Sequence, residues 1–201
     1  NTGGITVGDN SAGVFVKDGG EIKNTGIITI GANSQGLALK NGVGIDNSNT
    51  ISSTQGKAIG IYSENISGNV ESSGIINLSG DKSIGIYSKG TAAQINNTGS
   101  IIIGPSSDEK DPGMGIYYDN TAGTTINSNI ITVGDKSLGI YNKANTGTIN
   151  QTGALSVGKG GTGIYTNGGI LNISGTMFVD DAFAANKNSV GVYGNGVVNI
   201  T

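Results

Sequence analysis

Acidic side chains are the residues of this sequence with the most obvious capacity for chemistry. Three of them, Asp108, Glu109 and Asp111, fall within residues 105–113, and two more fall within residues 180–188. Closely spaced carboxylates can bind Ca²⁺ through their oxygens, and a pair of carboxylates across a groove can hydrolyse a glycosidic bond. Here the acids cluster only in these two short segments, and nearby acids in a loop are usually solvated. We therefore predict no metal site, no cofactor and no catalytic residue.

The residue types that are missing exclude several classes of site. The 201 residues contain no Cys and no His, and all 11 basic residues are Lys. Without Cys, neither a disulfide nor a thiolate metal site can form. The net charge of −3 gives no basic surface for nucleic acid. We predict that the chain is not an enzyme, and an enzyme acting on polysaccharides is the less favoured alternative.

A short phrase, Gly-Ile-Tyr with close variants, recurs along the whole chain at intervals of about 24 residues. The glycines that open it are Gly13, Gly36, Gly60, Gly85, Gly115, Gly139, Gly163 and Gly191. Two further runs, typified by Ile-x-Asn-Thr-Gly and Ile-Thr-Val-Gly, recur between successive copies. All three runs are short and alternate apolar with polar residues, which indicates strands.

Three strands per repeat predict one triangular coil per repeat. Equivalent strands of successive coils must stack in parallel about 4.8 Å apart, because the short connections can only turn corners. We predict an all-β, right-handed parallel β-helix with three sheets and about eight coils of about 24 residues, its hand assigned by analogy. Residues 1–201 form one such segment. The insertions 105–113 and 180–188 extend from the same corner, which connects the third strand of one coil to the first strand of the following coil.

Alternation predicts which side chains face the core. In the first strand, Ile59 with Ile61 and Ile84 with Ile86 are expected to point inward, so that the glycine of Gly-Ile-Tyr lies outside, beside the aromatic residue.

The second strand predicts a column of inward polar side chains, which we interpret as structural. In the last two coils isoleucine replaces the polar residue of this column. Its members are Asn24, Asn47, Ser72, Asn97, Ser128 and Gln151. The residues that follow it are expected to adopt left-handed backbone conformations. They are Gly26, Asn49, Gly74, Gly99, Gly153 and Gly175.

The outward column of the first strand is aromatic in most coils. It comprises Phe15, Ala38, Tyr62, Tyr87, Tyr117, Tyr141, Tyr165 and Tyr193. Such a ridge either contacts sugar rings or a partner protein, or stacks on itself and stabilises an exposed sheet. The two insertions leave a similar choice between a binding face and tolerated variation. The candidate partner-binding residues are Asp108, Glu109, Lys110, Asp111, Phe183, Tyr117, Tyr141 and Tyr165.

The outward row of the third strand bears on a further class, the ice-binding solenoids, which need a flat and regular threonine surface. This row reads Thr6, Thr29, Ser52, Asn77, Ile102, Thr132, Ser156 and Phe178. Because the row is irregular, ice binding is also a less favoured alternative.

The segments 83–88 (Ser-Ile-Gly-Ile-Tyr-Ser) and 95–104 (Ile-Asn-Asn-Thr-Gly-Ser-Ile-Ile-Ile-Gly) resemble the passenger region of type Va autotransporters, notably the very large fusobacterial outer-membrane adhesins. The resemblance extends over all eight coils. It implies a piece of a longer passenger, displayed outside the bacterial cell by a C-terminal outer-membrane β-barrel. It also implies attachment to a protein or glycan receptor on host cells or other bacteria. The alternative is a structural stalk, and in both cases we expect a monomer that binds no nucleic acid.

Overall fold

The computed structural model describes residues 1–92, 94–120, 122–182 and 188–201. Within these ranges the chain forms 22 strands and no helix, wound into a β-solenoid of about eight turns. Consequently, no described segment is a helix long and apolar enough to cross a membrane. Each turn contributes to three faces, which confirms the predicted triangular coil. The hand of the solenoid stays a prediction.

The first face is an eight-stranded sheet built from the Gly-Ile-Tyr strands. Its strands are β2 (Ala12–Lys17), β5 (Gln35–Lys40), β8 (Ile59–Glu64), β11 (Ile84–Lys89), β13 (Met114–Asp119), β15 (Leu138–Asn142), β18 (Thr162–Thr166) and β21 (Val190–Gly194). Each strand pairs in parallel with its equivalent one coil away, as in the register of Tyr87 between Tyr62 and Tyr117.

The second and third faces share one 14-stranded sheet, because two strands continue through the corner between these faces. These strands are β12 (Gln94–Ile103) and β14 (Thr125–Val133). The other strands of the second face are β3 (Glu21–Asn24), β6 (Gly44–Asn47), β9 (Val70–Ser72), β16 (Thr148–Gln151), β19 (Ile170–Ile173) and β22 (Val197–Ile200). Those of the third face are β1 (Ile5–Val7), β4 (Ile28–Ile30), β7 (Ile51–Ser53), β10 (Ile75–Leu78), β17 (Leu155–Val157) and β20 (Met177–Val179).

The core is a continuous stack of aliphatic side chains along the solenoid axis. Ile61, Ile86 and Ile116 are in register on the first face and are fully buried. Each such side chain stabilises the fold by about 1.5–3 kcal/mol, whereas ordering one residue's backbone costs about 1–2 kcal/mol. A single coil with a handful of core residues is therefore unstable alone, and its stability depends on the neighbouring coils.

The prediction that Ile59 and Ile84 face the core was wrong. Both are only half-buried and lie outside the core cluster. The cause is the glycine that follows each of them. A Cβ on Gly60 would lie 2.6 Å from Cγ2 of the buried Ile76, so this glycine faces inward against the third face. Alternation therefore breaks at the glycine, and the side chain before it is left half-buried in Ile59 and Ile84. Leu138, at the equivalent position of β15, is buried.

A second expectation, left-handed conformations after the inward polar column, was also wrong. None of the six positions has a positive φ. A Cβ on Gly26, Gly74 or Gly99 would instead overlap the backbone of the preceding coil. Glycine is required there because two backbones approach closely. Left-handed residues occur at other corners, including Lys82 and Lys136 just before the first face.

Candidate functional site

The outer surface of the first face carries the candidate residues Tyr117, Tyr141 and Tyr165, and we call this surface the tyrosine face. Its central row is a ladder of six tyrosines, in which neighbouring ring centroids are 4.8–5.4 Å apart. Edge-to-face pairs alternate with stacked pairs over the first four steps of the ladder. These are the preferred arrangements of aromatic rings, each contributing about 0.5–1.5 kcal/mol beyond the buried area.

Stacking within the ladder decides which part of each ring a partner can reach. Tyr117 lies between Tyr87, with interplanar angle 8°, and Tyr141, with angle 86°. One of its ring faces is therefore covered by Tyr87. Rings in the middle of the ladder are only partly exposed, whereas Tyr193 in the last coil is 60% exposed. A partner reaches mainly ring edges along the ladder, which suits hydrogen bonds and side-chain contacts better than flat stacking of sugars.

Charged residues border the tyrosine ladder on one side. In one cluster, the Tyr62 hydroxyl donates to Oε2 of Glu64 at 2.5 Å, and Lys40 pairs with this carboxylate at 3.1 Å. In a second cluster, centred on a carboxylate two coils after Glu64, Tyr87 donates to Oδ2 of Asp119 at 3.1 Å, and Lys143 pairs with Asp119 at 2.7 Å. Both carboxylates thus bind one phenol and one lysine. The row presents both charge signs at fixed spacing.

These contacts shift the pKa values of the groups concerned. Burial, followed by the nearby Asp119 carboxylate, raises the pKa of Tyr87 to about 12, and burial together with the Glu64 hydrogen bond raises the pKa of Tyr62. The Tyr62 hydroxyl and then Lys40 lower the pKa of Glu64. The hydrogen bond from Lys143, followed by the one from Tyr87, lowers the pKa of Asp119. The phenols therefore stay protonated donors at neutral pH, and the carboxylates stay charged.

The Asp119 cluster predicts a pH dependence of stability. Because its folded pKa lies below the ordinary value of 3.8, the charged Asp119 stabilises the fold above that pH, and this contribution is lost as pH falls through the folded pKa. We expect Asp119→Asn to lower the free energy of unfolding by about 0.5–1 kcal/mol at pH 7. The deficit should shrink between pH 5 and 3, measured by urea denaturation.

Lys143→Met serves as the companion variant, because Lys143 is the first cause of the Asp119 shift. Like Asp119→Asn, Lys143→Met should lower the free energy of unfolding at pH 7, and most of that deficit should disappear between pH 5 and 3. An Asp119→Asn deficit that stays constant from pH 7 to pH 3 would contradict the assigned contacts.

The insertion 105–113 is held against the corner of the preceding coil. Ser107 donates to both oxygens of Asp81, through its backbone N at 2.8 Å and its hydroxyl at 2.6 Å. Lys82 pairs with Asp111 at 3.1 Å, and the Lys110 backbone N donates to the Asp108 carboxylate at 3.0 Å. The Ser107 bonds lower the pKa of Asp81, and the Asp111 carboxylate raises that of Lys82. The insertion is thus anchored by polar contacts.

The candidate residues do not all converge on one site. Asp108, Glu109, Lys110 and Asp111 are exposed at the corner that leads into β13, the strand that carries Tyr117. The insertion therefore borders the tyrosine face but is not part of it. No cluster of acidic residues in the described ranges could hold a metal ion. Phe183 lies outside the described residues.

The inward polar column is present as expected, since all six members are almost completely buried. Asn24 donates to Oδ1 of Asn47 at 2.8 Å, and Ser128 donates to Gln151. Between these pairs the ladder is broken, because Ser72 Oγ and Asn97 Oδ1 have no hydrogen-bond partner among the described residues. The column is a structural element whose hydrogen-bond ladder is interrupted in the middle, from Asn47 to Ser128.

This interruption gives a stabilising prediction. Ser72 is in register with both Asn47 and Asn97, so Ser72→Asn can donate to Asn97 Oδ1 as Asn24 donates to Asn47. We expect the free energy of unfolding to rise by about 1 kcal/mol, the usual net contribution of a hydrogen bond. Chemical denaturation measures it. Ser72→Leu is the control, because it fills space but leaves Asn97 unpaired; an equal gain from both would refute the hydrogen-bond explanation.

A second asparagine ladder, not predicted from the sequence, runs along the outer side of the second face. Its amides donate in one direction, ending at the Glu71 carboxylate, with steps of 2.6–2.8 Å. Its members are Asn199, Asn172, Asn150, Asn127 and Asn96. The signal was present in the sequence, because an asparagine precedes the inward column in each of these coils. Such aligned amides polarise one another.

The described surface has shallow grooves on its outer faces, and one of about 320 Å³ lies beside Thr29, Ser52 and Asn77 on the third face. The tyrosine face and the adjoining insertion are the strongest candidate for recognition, because they combine aromatic edges, fixed charges of both signs and exposed loop residues.

No family model, curated protein or solved structure matches this chain.

Proposed function

We propose that the chain is a β-solenoid segment of a bacterial cell-surface adhesin of the autotransporter type, working by contact rather than catalysis. The observation that carries the proposal is the tyrosine face, a rigid sheet with a row of partly exposed phenol edges beside alternating lysines and carboxylates. Tyrosine is enriched in protein interfaces, since it combines a large apolar surface with a polar tip. The partner is a surface protein or glycan of a host cell or another bacterium.

The architecture also suits display outside a cell. Every strand pairs with the next coil, so the chain builds a rod that rises about 4.8 Å per coil, roughly 38 Å over eight coils. Such a rod presents the same lateral surface repeatedly along its length and holds it away from its base. The resemblance of residues 83–104 to autotransporter passengers supports an outer-membrane anchored, extracellular location for the parent protein.

The second candidate, a stalk that only adds length, is favoured by one observation. Ring stacking between successive tyrosines covers much of each ring and already gives the ladder a structural role. In a pure stalk, the insertion 105–113 would be tolerated variation without a partner.

Cell binding by the purified chain separates the two functions. Fluorescently labelled chain is titrated onto epithelial cells and onto a panel of bacteria, with unlabelled chain as competitor. The adhesin proposal predicts saturable binding that the competitor displaces. Non-saturable or absent binding by a chain with a cooperative melting transition would overturn it in favour of the stalk.

A variant with residues 106–112 replaced by a short corner then tests the insertion. We expect weaker binding, because this segment exposes four charged side chains beside the tyrosine face. The matched control replaces Lys110 alone with Gln and keeps the length of the loop. Equal affinity of the shortened variant and the wild type would remove the insertion from the proposed contact surface.

A further inference from the structure

The outer surface of the third face differs from the rest of the molecule because it carries no charge. In each coil, the residues from the end of the second-face strand to the end of the third-face strand contain no Asp, Glu or Lys. The segments are 2–8, 25–31, 48–55, 73–80, 98–105, 129–134, 152–158 and 174–179. We call their outer surface the uncharged strip. The first and second faces, in contrast, carry charges of both signs.

Several large apolar side chains are exposed on the uncharged strip. Five of them are 37–59% exposed there, namely Ile27, Ile75, Ile102, Ile130 and Phe178. Exposed large apolar side chains also occur elsewhere, at the corner between the first and second faces (Val43 and Ile170), on the first face (Phe15 and Tyr193) and on β22 in the last coil (Val197, Val198 and Ile200). An exposed apolar surface of this kind, without charges inside it, is typical of an interface rather than of a freely solvated sheet.

We infer that the uncharged strip is the interface through which two copies of this chain pair side by side. The charge distribution favours pairing through this strip. Each copy has a net charge of −3, so two copies repel each other over most approaches. On this strip no like charges meet, since neither copy contributes any. A two-fold axis would place the same strip on both sides, as in most homodimers.

The shape of the strip also favours pairing with a second copy. Each coil has two outward positions on this face, and at most one of them is large, as for Ile75 with Asn77 and Ile130 with Thr132. With a two-fold axis running along the strands between the fourth and fifth coils, Ile75 of one copy faces Ser100 of the other. Large side chains then fit against small ones, which is how packed layers interdigitate.

The area of the strip is sufficient for a weak specific interface. The strip is about 38 Å long, from eight coils at about 4.8 Å, and about 16 Å wide, from five residues at about 3.3 Å. Each copy would bury roughly 600 Å², or about 1,200 Å² in total, which is the lower end of the range for specific interfaces. The dimer is therefore weak and reversible. It dissociates at nanomolar concentration, where the monomer expected from the sequence is the species present.

Sedimentation equilibrium of the folded chain from 1 to 500 µM tests this pairing. The wild type should show a monomer–dimer equilibrium with a dissociation constant in the micromolar range. Ile75→Lys introduces two cations beside the two-fold axis, and the dissociation constant should weaken at least tenfold. Thermal melting of the variant at low concentration checks that it still folds, since Ile75 is exposed in the monomer.

Two matched variants report on other surfaces. Val43→Lys places the same charge at an exposed apolar position on a different corner, and Ile200→Lys places it on the last coil. Both should dimerise like the wild type. A wild type that stays monomeric to 500 µM, an Ile75→Lys variant that dimerises normally, or loss of dimers through Val43→Lys or Ile200→Lys would each overturn the inference.

Discussion

Replacing Gly85 by alanine should destabilise the solenoid strongly, although alanine is the smallest possible addition. A Cβ at this position would lie 2.5 Å from the carbonyl oxygen of Gly115 and 2.6 Å from Cγ2 of the buried Ile101. Restricting the unfolded chain with alanine gains only about 0.4–1 kcal/mol. Overpacking against backbone costs about 1–3 kcal/mol or more. We expect a net loss of about 2 kcal/mol in the free energy of unfolding, measured by chemical denaturation.

Gly8→Ala is the matched control for this substitution. A Cβ on Gly8 meets no atom within 4 Å, and its φ is not positive. Its effect should therefore be neutral or slightly stabilising. If Gly85→Ala were as harmless as Gly8→Ala, the close packing of the first face on the third-face isoleucines would be refuted.

Truncation of Ile116 should have the other large effect. Its side chain is fully buried in register between Ile86 and Ile140, so removing it leaves a cavity in the middle of the core stack. We expect Ile116→Ala to lower the free energy of unfolding by about 2–5 kcal/mol. Ile116→Val, which removes one methyl group, should cost about 0.5–1.5 kcal/mol.

The control for Ile116 is the same change at an exposed site. Ile170 is 44% exposed on β19, so Ile170→Ala should change stability by less than about 0.5 kcal/mol. Urea denaturation followed by circular dichroism compares the three variants. Similar losses at both positions would mean that inward and outward residues were wrongly assigned.

The architecture was predictable because the repeat constrains it at many points at once. Strand runs that alternate apolar with polar residues and recur about every 24 residues leave few alternatives to a stacked coil, and the short connections then force parallel pairing. Inward residues such as Ile61 and Asn24 followed from alternation alone.

Prediction failed where glycine interrupts the alternation. Strict alternation from Ile61 predicts an inward Ile59, whereas the missing side chain of Gly60 lets the backbone approach Ile76 directly. The left-handed conformation predicted for the glycines after the polar column was wrong for a related reason. Glycine serves both left-handed turns and close approach of backbones, and a sequence does not distinguish these two roles.

The candidate site was predictable in composition but not in geometry. The tyrosine column, including Tyr117, was evident from the repeat, but its alternation of stacked and edge-to-face pairs depends on side-chain rotation. The carboxylate clusters were missed for a different reason. Tyr87 and Asp119 are 32 residues apart in the chain, and only the stacking of successive coils brings them within hydrogen-bond distance.

If the tyrosine face makes the adhesive contact, replacing its tyrosines by phenylalanine should weaken binding without unfolding the chain. The variant combines Tyr117→Phe, Tyr141→Phe and Tyr165→Phe, which keeps the ring ladder and removes three polar tips. Binding isotherms on the cell type that binds the wild type are compared with the thermal melts of both proteins. We predict unchanged stability and an affinity at least tenfold weaker. Unchanged stability with unchanged affinity would contradict the claim and leave the ladder a structural feature only.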